Sequence, residues 1–203
     1  MVDNGALTVA FDLDGTLITE PPDEFGAIPG AIETLQWCRA QGWRIVLWTI
    51  NRRTVAVTRL LAAGISLDFF DAIVAVTHKD PKTLRRRLLP LVRGGKLAVV
   101  GNSWRHDVAP ALGIADAVVW VRGRRKPGVD GTPEDLNRFP VAVVSSVAQV
   151  PEVLLDALRR RYDKAAWRDY GARQFPCLSG LPDWGCFASW RRWGRRTIDI
   201  HAL

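Results

Sequence analysis

Six short apolar runs recur along the chain, at residues 7–11, 44–48, 71–76, 96–100, 117–121 and 141–144, and they constrain the fold more than any other feature. Each is apolar almost throughout rather than at alternate positions. That is the pattern of strands buried on both faces, the condition of a parallel sheet covered by helices. Helical stretches fall between the runs. One is opened by Ile28-Pro29-Gly30 and reaches Gln41-Gly42; another over 53–63 is stopped by Gly64; a third follows Pro81 to position 91. Shorter helical signals cover 108–112 and 151–161. The alternation predicts an α/β fold: a doubly wound (Rossmann-like) parallel sheet of five or six strands with helices on both faces.

Ligands of such sheets bind at the carboxyl ends of the strands, near a topological switch point. Polar residues stand at those ends here: Asp12 and Asp14 after the first run, Thr49 after the second, Lys79 after the third, Asn102 and Asp107 after the fourth. The first pair is the most demanding. Two carboxylates at the end of a buried strand are costly unless compensated, and a divalent cation is the usual compensation. At i, i+2 their side chains point the same way if the strand persists. Gly15 allows a sharp exit turn. A strand followed by an ordinary Asp-Gly turn has the same local pattern, so the weight rests on partners at the other strand ends.

Those partners give the chain a resemblance to the haloacid dehalogenase superfamily over residues 7–158. The motifs are Phe11-Asp12-Leu13-Asp14-Gly15-Thr16-Leu17, the apolar strand ending in Thr49, Lys79 in Lys79-Asp80-Pro81, and Gly101-Asn102-Ser103 followed by Asp107. Each is weak alone, and four in order at successive strand ends are specific. The resemblance implies a Mg²⁺-dependent phosphatase that hydrolyses phosphate monoesters. Asp12 would be the nucleophile, becoming an aspartyl phosphate, and Asp14 the general acid and base. Members that cleave carbon–halogen bonds typically lack the second acid, so Asp14 favours the phosphatase. The resemblance further implies that Thr49, Ile50, Lys79 and Leu13 bind phosphate, Lys79 through fixed charge and Leu13 within the turn whose backbone NH groups cradle it. Asp12, the Asp14 backbone carbonyl and Asn102 would hold Mg²⁺, with Asp107 direct or through water. The fourth motif often begins Gly-Asp. Here Asn102 keeps an oxygen ligand and removes a negative charge, which weakens metal affinity. Lys79 fits the third motif better than Lys82, because it lies nearer the strand end and Lys82 falls inside the following helix.

Many superfamily members carry an inserted cap. Both insertion places are nearly empty here: residues 17–28 read as a loop, and residues 49–79 hold one helix and one strand. The expectation is a capless phosphatase core over 1–158 with an open site, followed by an extension over 159–203. Charge marks the same boundary. Residues 1–158 carry 18 Lys and Arg against 17 Asp and Glu, whereas residues 159–203 carry 10 against 4, so the formal net charge of +7 sits almost wholly in the extension. The extension interleaves Trp167, Trp184, Trp190 and Trp193 with Arg168, Arg191, Arg192 and Arg195. Such a segment reads as a lid, a contact with a second copy of the chain, or a tail that stacks on nucleic acid. Burial against the core or a second subunit is the plainer of these.

The phosphorylated substrate would be a small metabolite, a nucleotide or a nucleic-acid end, with no membrane partner. The rival reading is a non-catalytic or weakly catalytic module of the same fold that binds nucleic acid or a protein through its tail. Met1-Val2-Asp3-Asn4-Gly5 lacks the basic and apolar regions of a signal peptide, which points to the cytoplasm. Cys38, Cys177 and Cys186 are odd in number, against a disulfide framework, and with His201 they match no structural zinc spacing. His78 and His106 flank site positions without an assigned role. The run Arg122, Arg124, Arg125, Lys126 reads as a solvated loop.

Overall fold

The structure, a computed structural model, describes residues 7–19, 25–123, 139 and 141–159. Six strands form one sheet: β1 (Leu7–Phe11), β2 (Arg44–Thr49), β3 (Ala72–Ala75), β4 (Lys96–Gly101), β5 (Ala117–Val121) and β6 (Val141–Val144). Their order is β3-β2-β1-β4-β5-β6, and every neighbouring pair is parallel. The chain therefore builds outward from β1 to β3, then crosses back to lay β4 on the other side of β1. That reversal leaves a crevice beyond the carboxyl ends of β1 and β4. Phe11 lies level with Leu47 on one side and Val100 on the other, so the three central strands end at nearly the same height.

The fully apolar runs follow from two cores, one on each face. Val9, Phe11, Ile45, Leu47, Ala98 and Val100 join one, and Ala10, Val46, Trp48, Leu97 and Val99 join the other. Successive side chains alternate between faces, so a strand covered twice leaves little room for polar residues, and Thr8 is the polar residue inside β1. The first face is covered by α1 (Ala31–Ala40), α2 (Arg53–Ala62) and α5 (Val150–Arg159), which contribute Leu35, Leu60 and Leu154. Cys38 of α1 is wholly buried there, and burial pushes its thiol up to about 12.

The second face is covered less regularly. In place of one helix after Pro81, α3 (Pro81–Thr83) widens into a π-turn over Leu84–Leu88 and then tightens to a 3-10 turn over Leu89–Val92. The same widening occurs over Trp104–Val108, before α4 (Ala109–Ala111), so this helical segment starts earlier than the expected 108. A proline follows each π-turn by two residues, Pro90 and Pro110. Proline has no NH to donate and clashes with the carbonyl four residues back, here Arg86 and His106, each inside its π-turn. The wider turn relieves that clash.

Residues 17–19 and 25–28, expected as loop, pair with one another. Ile28 NH donates to the Leu17 carbonyl and Thr19 NH to the Gly26 carbonyl, both at 2.9 Å, making a small antiparallel flap beside the crevice. No helix among the described residues is long and apolar enough to cross a membrane. The extension beyond Arg159, Cys177, Cys186, His201, and Arg124 to Lys126 of the basic loop lie outside the described residues.

Candidate active site

Asp12 is the first residue past β1, and its NH donates to the Val100 carbonyl at 2.9 Å, tying it to β4. The residue is 7% exposed. Lys79 Nζ donates to Asp12 Oδ1 and, at 2.6 Å, to Asp107 Oδ1, so one ammonium bridges two buried carboxylates. Asp107 Oδ2 accepts from the Ser103 NH at 2.9 Å, whereas Asp12 Oδ2 accepts a long 3.4 Å bond from the Thr16 hydroxyl. Burial foremost, and the Asp107 charge next, push the Asp12 carboxyl up to about 7; Lys79 and the Leu13 NH pull the other way. Burial likewise opposes the charge on Lys79, yet Asp107 and Asp12 together hold it above the ordinary lysine value.

The place of Asp107 depends on Gly101, the last residue of β4. A Cβ there would fall inside the Asp107 side chain. Gly101→Ala is therefore expected to displace Asp107 from Lys79, costing about 1–3 kcal/mol by overpacking. Urea unfolding of the variant against the parent checks this.

Asp14 belongs to a different network. The Leu13 carbonyl accepts from the NH groups of Leu17 at 2.9 Å and Ile18 at 3.0 Å, and Gly15 takes a φ of 71° that suits glycine alone. This tight turn ends the strand at Phe11, so the condition for the two acids to point the same way is not met. Asp12 and Asp14 share no side-chain partner. The Asn51 amide donates to Asp14 Oδ2. The Arg59 guanidinium lies 2.5 Å from Asp14 Oδ1, in ion-pair contact but without hydrogen-bond alignment, so that oxygen accepts no hydrogen bond. Asn51 is anchored in turn: the Thr49 hydroxyl accepts from its NH at 3.1 Å and from its Nδ2 at 3.4 Å.

The structure thus brings Asp12, Lys79 and Asp107 into direct contact and places Asp14 beside Asn51, which links it to Thr49. Leu13 is buried and Ile50 is 50% exposed, so only their backbones could serve a ligand in the crevice. Asn102 is buried at the end of β4, and its backbone carbonyl accepts from Trp120 Nε1 at 2.9 Å. Trp120 packs edge-on against Trp104, with ring centroids 5.4 Å apart. Lys82, His78 and His106 are exposed. Asn51 and Arg59 escaped sequence reasoning. Asn51, two residues past a strand end, carried a readable signal, and Arg59 carried none.

Among the described residues no group of three or more His, Cys, Asp and Glu could hold a metal ion by itself. The donors at the crevice are mixed: the Asp12 carboxylate, the Asn102 side-chain oxygen and the Asp14 backbone carbonyl. An all-oxygen set of this kind fits Mg²⁺. Asp12 Oδ2, whose bond from Thr16 is long, has capacity to coordinate, whereas both Asp107 oxygens are occupied by protein donors, which suits contact through water.

No protein-family model matches the chain, and neither does any curated protein. Solved structures do. An uncharacterized protein from Listeria monocytogenes serotype 4b superposes with a TM-score of 0.62 at 23% identity, over 75% of this chain and 99% of that one. A HAD phosphatase from Thermococcus onnurineus gives 0.58 at 16%, over 72% and 97%. A haloacid dehalogenase-like family hydrolase from Xanthomonas campestris gives 0.59 at 17%, over 81% and 99%. With six parallel strands in the observed order and acids at the central strand ends, the chain has the fold of the haloacid dehalogenase-like hydrolases.

Proposed function

We propose that the chain is a Mg²⁺-dependent phosphatase that hydrolyses phosphate monoesters through an aspartyl phosphate on Asp12. The observation that carries this reading is the Lys79 ammonium bridging Asp12 and Asp107 at the switch point, beside Asn102. An acid buried for structure alone would be paired one to one. Here two carboxylates share one cation, which leaves the cluster short of positive charge in the crevice where a ligand binds.

In the first half-reaction an Asp12 carboxylate oxygen forms a bond to phosphorus while the ester P–O bond breaks. The leaving oxygen takes a proton from Asp14. In the second half-reaction a water oxygen bonds to phosphorus, the Asp12–phosphorus bond breaks, and Asp14 takes a proton from that water, restoring both acids. Lys79 holds the Asp12 carboxylate in place and offers fixed charge to the phosphoryl oxygens. The Thr49 hydroxyl and the backbones of Leu13 and Ile50 complete the phosphate site. Mg²⁺, held by Asp12, Asn102 and the Asp14 carbonyl with Asp107 through water, would supply the positive charge that lets an anion approach an anion.

The core of 1–158 would act as a capless unit, since among the described residues the flap and α2 are what stands by Asp14. An open mouth suits a phosphate on a metabolite, a nucleotide or a nucleic-acid end alike. The test is phosphate release from p-nitrophenyl phosphate with Mg²⁺ and with EDTA. Turnover that requires Mg²⁺ is the expected result, and its absence at every divalent cation tried would refute the assignment.

A further inference from the structure

We infer that Asn51 and Arg59 are positioning residues for proton transfer, a clamp that fixes which oxygen of Asp14 meets the leaving group. The inference rests on the phosphatase reading and extends it to two residues outside the four motifs. The two oxygens of Asp14 are treated differently. Oδ2 is anchored by the Asn51 amide, while Oδ1 accepts no hydrogen bond and has the Arg59 guanidinium 2.5 Å away. Oδ1 is buried beneath the guanidinium, so Oδ2, which keeps one lone pair beyond its bond from Asn51, is the oxygen left to meet the leaving group.

The clamp is braced from behind. Asn51 is held by the Thr49 hydroxyl, so the acid is tied to the proposed phosphate-binding strand end. Arg59 stands on α2 with its Cζ 5.6 Å from the centroid of the Phe25 ring, on the flap beside the crevice. Negative charge develops on Asp14 as it gives its proton to the leaving oxygen. A guanidinium beside Oδ1 stabilises that charge and keeps the carboxylate in register for the water of the second half-reaction.

General-acid assistance matters most when the leaving group is a strong base. An alkoxide needs the proton; p-nitrophenolate barely does. The experiment compares kcat/KM for an alkyl phosphate monoester and for p-nitrophenyl phosphate, in the full chain, for the parent, Arg59→Ala, Asn51→Ala and Arg59→Lys. This constant reports only steps up to phosphoryl transfer, so a slowed second half-reaction does not disguise the result.

Arg59→Ala and Asn51→Ala should each lower the alkyl ester constant about 100-fold, the scale of a misplaced catalytic group. The p-nitrophenyl constant should fall about threefold or less by the same leaving-group argument. Arg59→Lys, which keeps the charge, should recover part of the alkyl ester loss. Equal losses on both esters would mean a structural role or direct contact with the phosphate, and would overturn the clamp while leaving the phosphatase standing, as would no loss on either. A parent inactive on both esters would end the phosphatase reading and the clamp with it.

Discussion

Asp12→Asn should abolish turnover of p-nitrophenyl phosphate, by at least about a thousandfold, the loss typical of removing a nucleophile. An amide nitrogen or oxygen cannot form the acyl phosphate, and the change leaves the shape of the residue intact. The accompanying effect on stability separates this loss from misfolding. In the cation-free protein Lys79 serves two buried carboxylates. Removing one of them leaves a neutral Lys79–Asp107 pair and relieves the repulsion that Asp107 exerts on Asp12. Asp12→Asn is therefore expected to unfold in EDTA at the same urea concentration as the parent or a higher one. A dead variant that is no less stable is the signature of a residue kept for chemistry. A variant that retained a tenth of the parental rate would remove Asp12 from the mechanism.

Lys79→Met should do the opposite to stability. It leaves Asp12 and Asp107 buried together with no cation, and breaking a buried pair in this way costs about 3–5 kcal/mol. Activity should disappear as well, since the nucleophile loses its anchor. The stability loss has a pH dependence whose sign is fixed. Asp12 already titrates above its ordinary value because of burial and Asp107, and Lys79 is one of the groups that restrain the rise. Without the ammonium the folded protein binds a proton at Asp12 more readily than the unfolded chain does. Stability of the variant should then recover as pH is lowered from 8 towards 6, and worsen as pH rises. Urea midpoints across that range, in EDTA, check it; a midpoint that does not respond to pH would show that neither burial nor Asp107 raises the Asp12 carboxyl.

Much of this arrangement was legible in the sequence because a sheet buried on both faces permits polar residues mainly where strands stop. Thr49 ends one strand, Asp12 and Asn102 directly follow two others, Lys79 lies in the loop after a fourth, and the parallel order places these ends on one edge. What could not be read depends on rotation and on turn geometry. Arg52, Arg53 and Arg59 are three arginines at or near one short helix, and nothing in their spacing says which one meets Asp14. That is decided by how α2 seats Ala56 and Leu60 on the sheet. The separation of Asp14 from the partners of Asp12 required knowing that Leu13 closes a turn with Leu17 and Ile18, a backbone event that Gly15 permits but does not announce. The widened turns before Pro90 and Pro110 were open to prediction from the prolines themselves.

The two networks draw on different strand connections. Asp14 is gripped by Asn51 and Arg59, which follow β2, whereas Asp12 finds its counter-charges in Lys79 and Asp107, and its backbone partner in β4. A ribosome-bound chain that has released only its first ninety or so residues holds Asn51, Arg59 and Lys79 but lacks β4 and Asp107. On the proposed mechanism, competence waits for β4 and the turn carrying Asp107, so the Asp12 cluster closes only when the central strands have met.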